Sequence, residues 1–238
     1  MSPPGQMSSR GQPILELLSA LSFFEESALP NTPLELRLMP GECVLIEAHD
    51  PERASAFADL CSGMVGLRGG AVRFMTFDWT ELNQERALAL RGRIGRIHQK
   101  AAWMGTLRTH VDIMMPRLHH TREPETSIAQ SAITLAQQLG LPGLPLVRPD
   151  RLSEGDLIRS ACVRAFLGDP RLLLLESAIT ADHAEITTPL LELLAHALDG
   201  GAAAICFTRD MPFWRAQGFP VAHRLQLLAD GLTPMRNL

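Results

Sequence analysis

The segment Asp50-Pro51-Glu52-Arg53-Ala54-Ser55 combines a serine, a cation and two acids at what reads as a helix start. Asp is placed to cap, Pro takes the first turn and Glu follows it. The free N–H groups at such an end attract anions. Here the chain's own carboxylates occupy that field, and Pro51 withholds one of the N–H groups. Arg53 adds a positive charge next to them. A second helix start lies at Ser153-Glu154-Gly155-Asp156, where a serine and an acid three residues on form a capping pair. That acid is one methylene shorter than the usual Glu, and Gly155 can simply relieve the backbone. His98, His110, His119, His120, His196 and His223 are not at metal-ligand spacing and read as surface or satisfied core residues. Cys43, Cys61, Cys162 and Cys206 are far apart, each among apolar residues, and are expected to be buried thiols in a reducing compartment.

Short apolar runs bounded by turn residues predict strands at 43–47, 72–77, 94–98, 172–176 and 203–207. Helix-period faces lie between them. Phe57, Leu60, Cys61 and Met64 form one. Leu157, Ile158, Ala161, Cys162, Ala165 and Phe166 form another, and Leu190, Leu191, Leu194 and Leu198 a third. Alternating strands and helices predict an α/β fold with a largely parallel sheet. Residues 109–151 hold no convincing strand, and 128–139 looks helical, so a helical subdomain over about 100–155 is expected between two halves of the core. Residues 1–13 are polar with Pro and Gly and read as a loose tail ahead of a single domain over 14–238.

Composition narrows the function. The 238 residues are 46% hydrophobic and 20% charged, with a net charge of −4, which gives no reason to expect nucleic acid as a partner. No apolar run approaches the ~20 residues of a membrane helix. Among the 22 basic residues there is a single lysine, Lys100.

A series of short motifs, in fixed order, resembles the ABC ATPase family from about residue 14 to about 232. Gly41-Glu42 leads into a strand, Gln99 follows a later one, and Leu152-Ser153-Glu154-Gly155-Asp156 opens a helix. That helix runs to Gly168-Asp169-Pro170-Arg171-Leu172-Leu173-Leu174-Leu175-Glu176, and Thr208-Arg209-Asp210 follows the last core strand. A narrower resemblance lies in Met115-Pro116-Arg117-Leu118-His119-His120-Thr121-Arg122-Glu123-Pro124-Glu125, which looks like a stretch of the ATPase subunits of Mla/MCE phospholipid transporters. No chemistry is assigned to His119 or His120.

The resemblance implies a P-loop NTPase-type core, and it locates departures from the family's pattern. Aligned on Leu60-Cys61-Ser62-Gly63, the phosphate loop is 48–55. Its glycines are replaced by Ala48, Pro51 and Arg53, and its lysine by Ala54; only Ser55 keeps the hydroxyl that holds Mg²⁺. Lys100 lies beyond a different strand and does not substitute. Glu176 stands at the Walker B aspartate and retains an oxygen for Mg²⁺. Ser177 stands at the water-activating glutamate, and a serine accepts no proton at neutral pH. His183 replaces the D-loop aspartate, and Arg209 the histidine that senses the γ-phosphate. Losing lysine, base and switch histidine together leaves no route to phosphoryl transfer. Gln99 would contact a membrane subunit, and Ser153 and Gly155 nucleotide held by an opposing subunit; both signature residues also have the plain structural reading given above.

The expectation is therefore a pseudo-ATPase with weak or no Mg-ATP binding and no metal site. It would sit on the cytoplasmic face of the inner membrane, docked on a permease beside a second ABC ATPase subunit, either an active paralogue or a second copy. An MCE/Mla-like lipid system is the expected setting. The rival readings are an unorthodox ATPase using Ser55, Glu176 and Arg53, and a free-standing adaptor on the same scaffold.

Overall fold

The computed structural model describes residues 11–23, 28–99 and 103–235; Lys100 and most of the N-terminal tail lie outside them. In chain order, β1 (Leu15–Ser22), β2 (Leu34–Leu38) and β3 (Cys43–Glu47) precede α1 (Pro51–Cys61). Then come β4 (Leu67–Phe74), β5 (Phe77–Asp78), α2 (Gln84–Arg91) and β6 (Ile94–Ile97). The helices α3 (Thr109–His120) and α4 (Glu125–Gln138) follow, then α5 (Glu154–Phe166), β7 (Leu172–Glu176) and α6 (Ala184–Asp199). The described chain finishes with β8 (Ala203–Thr208), α7 (Met211–Ala216), β9 (His223–Leu228) and β10 (Gly231–Pro234).

The strands form a six-stranded sheet ordered β10-β9-β3-β8-β7-β6 and a four-stranded one ordered β2-β1-β4-β5. The first is parallel from β9 to β6, with β10 added antiparallel at the edge. Its central strands β7 and β8 are buried at every residue, as the apolar runs 172–175 and 203–207 require when helices cover both faces. On one face Phe57 and Leu60 of α1 meet Ile46, Leu174 and Phe207. On the other, Leu45, Leu173, Leu175 and Cys206 meet α5 and α6. Helices α3 and α4 fill the interval between β6 and α5, with Ile113, Ile128 and Ala132 packed into that second cluster.

The structure corrects the sequence reading in three places. The strand expected at 72–77 starts earlier, as β4, and ends at Phe74, because Met75 and Thr76 turn the chain with φ of 50° and 73°. Met64 does not share the face of Phe57: α1 ends at Cys61, Gly63 reverses the chain at φ 65°, and Met64 is 63% exposed. The antiparallel sheet, together with β9 and β10, was not foreseen. In β1 the alternation is broken by Ser19 at φ 49°, where the pairing with both neighbours slips register.

All four cysteines are buried and free. Burial pushes the Cys162 thiol up to about 12. Among the described residues no helix is long and apolar enough to cross a membrane.

Candidate functional site

The C-terminal ends of the parallel strands gather most of the singled-out residues, the edge where open α/β sheets place their ligands. Glu47 pairs with Thr208 and Glu176 with Phe207, so Ala48, Ser177 and Arg209 leave the sheet side by side, while Gln99 follows β6 at the same edge. Ala48 donates its N–H to the Thr208 carbonyl at 2.9 Å, and Ser177 donates to the Phe207 carbonyl at 3.1 Å. Ser177 is held at φ 50°. Arg209 is exposed, whereas Gln99 and His183 are partly buried.

The helix start has the form its sequence requires. Asp50 caps α1, accepting from the N–H groups of Glu52 at 3.0 Å and Arg53 at 3.4 Å, with Pro51 in the first turn. Arg53 folds back on this cap: its Nε donates to the Ala28 carbonyl at 3.0 Å and its Nη2 lies 3.3 Å from Asp50. Its guanidinium is thus held by its own surroundings. Ala48 and Ala54 are buried in the α1-side core.

One residue that sequence reasoning missed sits at the centre. Arg96 of β6 lies opposite Leu174, which puts its side chain on the face that also carries Glu176 and α1. Its Nε donates to Glu176 Oε1 at 2.6 Å, its Nη2 to the Ser55 carbonyl at 3.1 Å, and its Nη1 to Asp59 on α1. The other Glu176 oxygen accepts from the Ser55 hydroxyl. Glu176 is 1% exposed, so this carboxylate is a buried anion matched by a partly buried cation. Burial opposes the charge on Arg96, but the bonds to Asp59 and Glu176 outweigh it and raise its pKa. His98 stands 3.8 Å from Glu176, and burial, reinforced by the Arg96 charge, holds it below its ordinary pKa. The strand expected over 94–98 puts Arg96 on the same side as Ile94 and His98, but its facing α1 and Glu176 follows only from the register of β6 on β7.

The second helix start stands apart. Ser153 caps α5, its hydroxyl accepting from the Asp156 N–H at 3.2 Å. Asp156 does not complete the box; it meets Arg159 at 3.4 Å, and Arg159 also reaches Glu185 at the start of α6. A Cβ on Gly155 would approach the Arg159 guanidinium to 3.1 Å, so the glycine makes room for that pair. Glu154 is exposed. Among the described residues no hydrogen bond or ion pair joins Ser153, Glu154, Gly155 or Asp156 to Ser55 or Glu176. His119 and His120 contact each other with rings 4.8 Å apart, and burial, then the neighbouring His119, lowers the pKa of His120.

Comparison with known proteins bears out the fold. The chain has the fold of an ABC ATPase cassette. It superposes on the dimeric post-hydrolysis structure of the ATP-binding cassette MJ0796 bound to ADP and Pi with a TM-score of 0.76 and 16% identity, covering 94% of this chain and 100% of that one. A solved ATP-binding subunit of an ABC transporter gives a TM-score of 0.75 at 16% identity, over 93% and 90%. In sequence the chain is similar to ATP-binding subunits of ABC transporters. It is 28% identical over 180 residues to the methionine import ATP-binding protein MetN of Xanthomonas campestris pv. campestris, covering 75% of this chain and 53% of MetN. It is 26% identical over 147 residues to the intermembrane phospholipid transport system ATP-binding protein MlaF of Haemophilus influenzae, covering 62% of this chain and 56% of MlaF. The chain thus spans just over half the length of these curated relatives. No family model matches it.

Proposed function

We propose that this chain is an ABC-type subunit that neither binds Mg-ATP productively nor hydrolyses it, and that it serves a membrane transporter as a structural or regulatory partner. The observation that carries this is the Arg96 guanidinium bonded to Glu176, with Ser55 bonded to the same carboxylate. In an active cassette the corresponding hydroxyl and acid would hold Mg²⁺. Here both are engaged within the chain, and a cation brought to Glu176 would meet a resident positive charge. At ~4 Å and an effective dielectric near 20, that repulsion is roughly 4 kcal/mol per unit of added charge. The phosphate side is equally unsuited: Asp50 fills the N-terminal field of α1, Pro51 offers no N–H, and Ala54 carries no charge. Mg-ATP does not fit this donor set. The unorthodox-ATPase alternative needs Ser55, Glu176 and Arg53 free, and each already has a partner inside the chain.

The transporter setting is supported by the names of the relatives, which are transport ATP-binding proteins, and by the position of Gln99 at the sheet's C-terminal edge. The 115–125 stretch and the likeness to MlaF favour an MCE/Mla-like lipid system. The partners would be an inner-membrane permease and a second ATP-binding subunit, with this chain on the cytoplasmic face. Purification of the tagged protein from its native membrane tests this reading. A permease and an ATP-binding paralogue are expected to copurify; recovery free of any membrane protein would overturn it.

A further inference from the structure

On the α5–α6 side of the main sheet, the parallel pairing of β9 with β3 sets Arg224 opposite Leu45 and therefore on the same face. There it lines a cavity of about 290 Å³ with Trp214 and Arg215 of α7. The rest of the wall is Leu45 and the loop 218–221, Gly-Phe-Pro-Val, so no side chain in it is an acceptor. A Cβ built on Gly218 meets no atom within 4 Å, which leaves open space beside that loop.

Arg224 is unusual in this chain. Every other partly buried arginine among the described residues bonds a carboxylate or a carbonyl; Arg53, Arg91, Arg117 and Arg171 show the pattern. No hydrogen bond or ion pair of the Arg224 side chain exists among the described residues, nor of Arg215, which is exposed. Trp214 is 3% exposed, and its indole N–H has no acceptor among the described residues. A partly buried guanidinium without a counter-charge is costly, and so is a buried donor without an acceptor. Side chains that offer donors alone, two of them guanidinium forks, call for a compact ligand rich in acceptors, and a guanidinium fork matches a phosphate with two parallel bonds.

We propose that Arg215 and Arg224 form a binding site for a phosphate group, supplied either as free phosphate or by a small phosphomonoester. The site is on the opposite face of the sheet from Ser55 and Arg96 and stands independently of the inactive-subunit reading.

The chain's three tryptophans give three indole N–H signals in a ¹⁵N-resolved spectrum, and Trp214→Phe assigns the one that matters. The intact protein is titrated with inorganic phosphate, with glycerol 3-phosphate, and with chloride at matched ionic strength. Saturable movement of the Trp214 signal at millimolar phosphate or glycerol 3-phosphate, and none with chloride, is expected. Tighter binding of glycerol 3-phosphate makes a phosphomonoester the natural ligand; equal or weaker binding makes it free phosphate. Arg224→Gln and Arg215→Gln should each weaken binding roughly tenfold or more. Arg215 is exposed, so its substitution leaves the fold intact even where Arg224→Gln does not. Absence of a saturable shift, an equal response to chloride, or binding unchanged in Arg215→Gln overturns the proposal.

Discussion

The Nε of Arg96 lies 2.6 Å from Oε1 of Glu176, and both side chains are shielded from water, Arg96 retaining 14% exposure and Glu176 none. A buried pair of this kind is weakly stabilising against an apolar substitute but severe to break from one side. Arg96→Met alone should cost roughly 3–5 kcal/mol, because it strands the Glu176 charge. The double variant Arg96→Met, Glu176→Met should recover most of that loss. Urea unfolding of the four proteins of this cycle measures the coupling. Additive losses would show that the two residues act separately.

His98 gives the fold a pH dependence. Burial and the Arg96 charge lower its pKa below the ordinary 6.5, with Glu176 and Asp59 opposing and Arg164 adding to the shift. The unfolded chain therefore takes up a proton at a higher pH than the folded one. Its stabilising contribution is complete above 6.5 and is lost as pH falls through the lower folded value. His120 is shifted in the same direction, so the test is a comparison. Across about pH 5 to 8, the melting temperature of His98→Gln should fall less on the acid side than that of the parent protein. Parallel curves would remove His98 from the account.

Restoring the lysine alone should not restore activity. Ala54 is 4% exposed and packs in the cluster with Phe57 and Ala58, so Ala54→Lys forces a long charged chain against the core. A loss of roughly 1–3 kcal/mol from overpacking is expected, visible as a lower melting temperature. Phosphate release should stay at the level of the unmodified protein. Steady turnover above that level would contradict the reading of the loop.

At the other helix start, Ser153→Ala removes the cap on Asp156 and should cost about 1 kcal/mol of stability. If an active paralogue is the partner, the same end of α5 would face that partner's nucleotide. In the reconstituted complex, Ser153→Ala should then lower ATP turnover, and Glu154→Gly should raise it by removing an exposed acid near the phosphates. No change from either substitution would reduce this end of α5 to a helix cap.

The sheet's interior was legible because the runs 172–175 and 203–207 are apolar without interruption, a pattern that only two-sided burial explains. The Asp50 cap was legible for a local reason: the order Asp-Pro-Glu decides it within one turn. The antiparallel sheet was not, because β1 carries a bulge at Ser19 and gains its order from pairing with β2 and β4, which lie 12 or more residues away. Arg96 was missed for a related reason. Its strand was expected, but its partners Asp59 and Glu176 come from α1 and β7, and only the register of β6 on β7 brings them together.

Titration of the purified protein with Mg-ATP, followed by calorimetry and a fluorescent analogue, tests the central claim most directly. With Ser55 and Glu176 bonded inside the chain and Arg53 held by Asp50 and Ala28, no saturable binding is expected at millimolar nucleotide. Saturable micromolar binding that Arg53→Ala or Glu176→Gln abolishes would contradict it.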